Sequence, residues 1–182
     1  WMPPQASENA SVTDDLMTFI FYVSAFFFVL IVVLMVFFVI RYRRRREGEG
    51  PVSNVKHNTL LELTWTIIPL IIVLLIFYGG FRAFISQEAP PDNAVPIHVT
   101  GKKWSWTFEY PNGHKDAELH VEQGRPFKLT LTSMDVTHSV FIPVFRLKKD
   151  AVPGRYNTVW FQANKPGEYR LYCAEYCGQQ HS

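Results

Sequence analysis

The chain has 182 residues, with 18 Lys and Arg against 16 Asp and Glu, so its formal charge is only +2. Neither sign is in enough excess to suggest a nucleic-acid partner. Nearly half of the residues are hydrophobic, but they are unevenly spread, and the average hides two very different regions.

Met17–Ile40 contains no charged residue and is dominated by Phe, Val, Leu and Ile. At about 1.5 Å per residue it is long enough to cross the roughly 30 Å hydrocarbon core of a bilayer. It is also far longer than the apolar core of a signal peptide. Leu63–Phe81 is a second uncharged stretch, with Pro69 inside it; proline is tolerated in a membrane helix whose neighbours satisfy the freed carbonyl. Helices are expected over about 16–41 and 60–85, in an N-terminal segment running from 1 to 86. Arg41, Arg43, Arg44, Arg45, Arg46 and Lys56 lie between them, whereas the flank before the first has Glu8, Asp14 and Asp15 and no Lys or Arg. This asymmetry predicts a cytoplasmic basic loop, with both termini and the exported domain on the outer side. The arginine run is read as a topology signal beside a span, not as a nucleic-acid site. Trp1 is not a translation start, so a processed or trimmed N-terminus is expected.

Ser86–Ala94 is rich in Pro, Asn, Asp and Glu and reads as a linker, so the exported domain is placed at 87–182. Short runs with period-two alternation follow at 96–101, 104–110, 118–122, 126–133, 138–144, 156–162 and 168–172. In one of them Leu129 and Leu131 alternate with Thr130 and Thr132. Strands this short and evenly spaced predict an all-β sandwich or barrel.

The two cysteines, Cys173 and Cys177, are four residues apart, and His181 follows the second by four; His138 lies upstream in Asp135-Val136-Thr137-His138-Ser139. Two thiolates and two imidazoles suit copper, zinc or iron–sulfur chemistry. A plain disulfide is the competing reading in an oxidising compartment, but so small a loop gains little from closure and leaves the histidines unexplained. A strand histidine mid-chain with the remaining ligands in the last loop is the cupredoxin arrangement. Two thiolates can bridge two metal ions and leave one histidine for each, giving a dinuclear site whose ligands serve both oxidation states. His57, His98, His114 and His120 read as surface or structural residues with no assigned role.

Five motifs together resemble subunit II of a haem–copper cytochrome c oxidase, the subunit that carries the dinuclear copper A centre. They are Cys173-x-Glu175-x-Cys177-Gly178-x-x-His181-Ser182, the His138 motif above, Leu147-Lys148-Lys149-Asp150-Ala151-Val152-Pro153-Gly154-Arg155, Trp104-Ser105-Trp106-Thr107-Phe108-Glu109-Tyr110, and Glu62-Leu63-Thr64-Trp65-Thr66-Ile67-Ile68-Pro69. The resemblance implies a two-helix transmembrane hairpin followed by an all-β cupredoxin-like Greek-key sandwich. It implies two copper ions bridged by Cys173 and Cys177 and capped by His138 and His181, with the Glu175 carbonyl on one of them. It also implies a magnesium ion on the Glu175 carboxylate at the contact with subunit I. Trp104 would receive electrons from cytochrome c, and Glu62 would mark the mouth of a proton-uptake path into subunit I. The implied function is electron transfer from cytochrome c to haem in subunit I for reduction of oxygen to water, coupled to proton pumping. The implied setting is a bacterial-type plasma membrane or mitochondrial inner membrane. The partners would be subunit I, subunit III, lipid, and a soluble, membrane-bound or fused cytochrome c. The resemblance further implies a methionine ligand three residues past His181. Continuation of the chain beyond Ser182 is therefore expected, with the exported domain truncated at its C-terminal end.

Three alternatives stand beside this reading. A quinol-oxidising relative lacks the copper ligands. A membrane-anchored copper chaperone of the thioredoxin class shares Cys-x-x-x-Cys and a distant histidine, but normally has one span and strand–helix alternation. A zinc module would accept two Cys and two His without redox work.

Overall fold

The computed structural model describes residues 2–44, 50 and 56–178. Two helices come first, α1 (Glu8–Tyr42) and α2 (Thr59–Glu88). Eight strands follow: β1 (Val95–Lys102), β2 (Ser105–Glu109), β3 (Lys115–Asp116), β4 (Pro126–Ser133), β5 (His138–Ile142), β6 (Leu147–Ala151), β7 (Asn157–Gln162) and β8 (Tyr172–Cys173). The chain forms two compact units, one of Asp15–Phe81 and one of Trp1–Asp14 with Arg82–Ser182.

In the helical unit both helices are apolar around their whole circumference, and the most apolar window of each is entirely unburied within the chain. A helix that is hydrophobic all round requires an apolar surrounding. Both are long enough and apolar enough to cross a membrane. Small residues let them come close: a Cβ on Gly79 would stand 3.3 Å from Leu16 Cδ1. The helices exceed the expected 16–41 and 60–85 at both ends. The apolar run marks the part suited to lipid, and polar residues at either end continue the helix beyond it.

The β unit has a five-stranded sheet in the order β3-β2-β1-β4-β7 and a three-stranded sheet in the order β6-β5-β8. The β1–β4 pair is parallel and the others are antiparallel. Period-two alternation sends Ile97, Val99, Trp106, Phe108, Phe127, Leu129, Leu131, Val159 and Phe161 inward from the larger sheet. Val140, Ile142, Leu147, Ala151 and Cys173 come from the smaller one. Each of the large aliphatic and aromatic side chains so buried contributes roughly 1.5–3 kcal/mol. The expected all-β architecture is present.

Three strand expectations need correction, besides the short β3, which no expected run includes. No strand forms at 118–122. There the Glu118 N–H donates to Asp116 Oδ1 at 3.1 Å and the His120 N–H to Tyr110 Oη at 2.6 Å, so side chains take the donors a ladder would need. The run at 168–172 is paired only from Tyr172, in β8. β6 was not expected at all. Its polar Lys148-Lys149-Asp150 centre hides the alternation, and only Leu147 and Ala151 point fully inward.

The first residues belong structurally to the β unit. Ala6 N–H donates to Val144 O at 3.0 Å, Asn164 N–H to Ala6 O at 3.0 Å, and Ser7 Oγ to Phe145 O at 2.8 Å. Arg146 grips Asp14 in a two-pronged pair, Nε to Oδ1 at 2.7 Å and Nη2 to Oδ2 at 2.8 Å. Fork geometry makes such pairs stronger than single contacts. The C-terminal end of α2 is tied down as well, with Trp160 Nε1 donating to Ser86 O at 2.7 Å and Lys149 pairing with Glu88. The segment expected as a linker from Ser86 therefore begins as helix.

Candidate metal centre

Strand pairing brings the mid-chain histidine to the C-terminal cysteines. In the β5–β8 ladder Val140 faces Cys173. His138 is two residues before Val140, on the same face of β5, and so sits diagonally across from Cys173. His138 Nδ1 is 3.9 Å from Cys173 Sγ, and the two cysteine Sγ atoms are 3.6 Å apart. All three side chains are buried, His138 completely. Their ligand atoms lie within 4.8 Å of one another. The Glu175 carbonyl oxygen is 3.5 Å from Cys173 Sγ.

The imidazole is held in one tautomer. His138 Nε2 is 2.8 Å from Asp135 Oδ1, and an ionised carboxylate can only accept, so Nε2 carries the proton and the Nδ1 lone pair faces the thiols. Asp135 also accepts the Lys103 N–H and the Val136 N–H, each at 2.7 Å. The His138 contact foremost, with these amides, holds its carboxyl well below the usual carboxylate range. Beneath the ring lies Gly101, whose Cβ, if present, would stand 3.0 Å from His138 Cδ2 and 2.9 Å from Trp106 Cζ3. The edge of Trp106 completes the pocket, with ring centroids 5.7 Å apart.

Burial, with the adjacent Cys173, pushes the Cys177 thiol up to about 11. A metal ion reverses that preference, because coordination expels the thiol proton. A buried thiol pair, a directed imidazole nitrogen and a carbonyl oxygen form a donor set suited to a soft or borderline metal.

Two sequence profiles match the chain in succession. "Cytochrome C oxidase subunit II, transmembrane domain" matches residues 1–82, and "Cytochrome C oxidase subunit II, periplasmic domain" matches residues 114–182. The chain belongs to the cytochrome c oxidase subunit II family. Among similar proteins, a cytochrome c oxidase subunit 2 of Alkalihalophilus pseudofirmus is 35% identical over 147 residues, covering 76% of this chain and 43% of the relative. A probable cytochrome c oxidase subunit 2 of Rickettsia bellii is 32% identical over 149 residues, covering 69% and 55%. The chain thus spans about half the length of these curated relatives. The crystal structure of the periplasmic domain of subunit II of the Bradyrhizobium japonicum cytochrome oxidase is 32% identical, with a TM-score of 0.48, covering 51% of this chain and 80% of that one.

For a subunit II chain the donor set fits copper, the metal the family implies. His138, Cys173, Cys177 and the Glu175 carbonyl come together around one pocket, whereas His181 lies outside the described residues, as do Arg45 and Arg46 of the basic loop. The Glu175 side chain is exposed, and one carboxylate oxygen accepts the Tyr176 N–H at 3.2 Å. Trp104 is 54% exposed, yet its indole lies against Gly178, the residue after Cys177. Glu62 belongs to the helical unit, in the first turn of α2. Its Oε1 accepts the Asn58 N–H at 3.2 Å while Asn58 Oδ1 accepts the Leu61 N–H at 3.2 Å, a reciprocal cap on the helix start. Sequence reasoning assigned no role to Asp135 or Gly101. An aspartate three residues before the ligand histidine was the available signal for the first; nothing local signalled the second.

Proposed function

We propose that this chain is the copper-bearing subunit II of a respiratory haem–copper oxidase, receiving electrons from cytochrome c for the haem of subunit I, where oxygen is reduced to water with proton pumping. The convergence of His138 Nδ1, Cys173 Sγ and Cys177 Sγ in one buried pocket carries this reading. His181 would complete the ligand set. Bound as a dinuclear pair, copper supplies one-electron redox chemistry.

The residues divide the remaining work. Asp135 fixes the His138 tautomer, and Gly101 and Trp106 hold the ring in place, so the pocket changes little between oxidation states. Trp104 offers an exposed aromatic surface to the electron donor, while its indole lies against Gly178 beside Cys177. The Glu175 carboxylate, exposed beside the pocket, would hold a magnesium ion shared with subunit I, as suits a hard, oxygen-seeking cation. Glu62 would stand at the proton-uptake mouth, since an ionisable group at the edge of an apolar span is a functional candidate by default. The apolar helices would pack on subunit I, with lipid and subunit III around them. The arginine-rich loop would face the cytoplasm and the copper domain the outer side, in a bacterial-type plasma membrane or mitochondrial inner membrane.

Optical spectroscopy of the copper-loaded chain tests the reading. A mixed-valence dinuclear spectrum is expected, and Cys177→Ser should abolish it, because a hydroxyl cannot replace the soft thiolate that would hold the copper. A colourless chain that retains only zinc would sink the proposal.

A further inference from the structure

The β2–β3 hairpin and the loop after it carry a second cluster of metal-ligating side chains, at residues distinct from the copper pocket. His114 Nε2 and His120 Nε2 approach the same oxygen, Asp116 Oδ2, at 3.7 and 3.5 Å. Glu118 Oε2 is 4.0 Å from His120 Nε2. The backbone beneath all three is held in place. The Tyr110 N–H donates to His114 O at 2.9 Å, and the His114 N–H to Asn112 Oδ1 at 3.0 Å. Asp116 pairs with Phe108 in the ladder, and its Oδ1 accepts the Glu118 N–H. The His120 N–H is bound to Tyr110 Oη. The neighbouring cation, Lys115, is engaged by Glu109 at 3.1 Å.

Two imidazoles around one carboxylate form a nitrogen–oxygen donor set that suits zinc, copper(II) or nickel and lacks the thiolate that copper(I) prefers. We propose that His114, Asp116 and His120 form a surface site for a borderline divalent transition-metal ion, independent of the copper pocket. The imidazoles already converge on Asp116. The three ligand atoms do not yet lie within 4.8 Å of one another, as those of the copper pocket do, so binding at about 2.0–2.2 Å draws the two exposed imidazoles in around the partly exposed Asp116. Glu118 is placed to supply a fourth ligand.

Equilibrium dialysis of zinc against the full chain in detergent, in a Cys173→Ser/Cys177→Ser background, tests the site. Saturable uptake of one zinc is expected, with affinity at least about tenfold lower in His120→Ala and in Asp116→Asn and unchanged in His98→Ala. Should the serine background not fold, the same measurement on the copper-loaded chain serves, since its thiolates are then occupied. Undiminished affinity in a His114→Ala/His120→Ala chain, or no saturable uptake by the parent, would overturn the site and leave only ion pairs to Asp116.

Discussion

The indole nitrogen of Trp104 lies where a side chain on Gly178 would begin: a Cβ there would stand 2.6 Å from Nε1. Gly178 also has φ of +122°, which L side chains rarely adopt. The residue after Cys177 is therefore glycine for two reasons, and the Trp104 indole sits directly against it. Gly178→Ala should dislodge the indole. Stopped-flow electron uptake from the donor is expected to slow roughly tenfold to a hundredfold, with copper still bound. An unchanged rate would remove the Trp104–Gly178 contact from the electron route.

Asp135 should matter to the metal without touching it. Asp135→Ala releases the His138 ring and its tautomer, and copper affinity measured against a competing chelator should fall about 10–100-fold. Parent-like affinity would show that the Gly101–Trp106 packing alone is enough to aim Nδ1.

Asp150 links acid stability to the strand that bears His138. The buried Ser139 hydroxyl donates to Asp150 Oδ1 at 2.6 Å and is the main cause that holds its carboxyl below the ordinary range; Lys148, at 3.1 Å, adds to this. The folded state therefore binds this proton less readily than the unfolded state. The contribution is fully present above the unfolded carboxylate range, near pH 4, and is lost as pH falls through the folded value. Asp150→Asn should flatten this part of the acid limb in thermal melts followed by tryptophan fluorescence. An acid limb of parental steepness would count against the Ser139 contact.

Glu62 has a capping role that must be separated from a proton role. Glu62→Gln keeps an oxygen for the Asn58 N–H, so the helix start is preserved while the titratable group is lost. In the assembled enzyme it should slow cytoplasmic proton uptake and turnover and leave initial copper reduction unchanged. Glu62→Ala should in addition weaken the helix start by about 0.5–2 kcal/mol. Normal turnover in the Gln variant would leave Glu62 as a cap only.

Much of this protein was legible in one dimension because the relevant forces act over short sequence distances. Uncharged runs of membrane length, the charge asymmetry around them, and the alternation in β1, β4 and β7 each report a local preference. The four-residue spacing of Cys173 and Cys177 likewise places two thiolates on one loop. What lay beyond that reach depends on which strand becomes a neighbour. His138 meets Cys173 only because β5 pairs with β8, thirty-five residues on. β6 forms against β5 although its centre is polar, and 118–122 fails as a strand because Asp116 and Tyr110 capture its amide hydrogens. The glycines at 101 and 178 look ordinary in sequence; their necessity comes from rings delivered by distant segments. The residues before Asp14 read as a flank of a membrane span, yet Arg146 and the Phe145 carbonyl draw them into the β unit. Sequence by itself determined the donor chemistry and the membrane character, because residue type and spacing carry both. Tertiary structure decided which atoms face the metal, because burial, tautomer and close approach exist only once remote strands have packed.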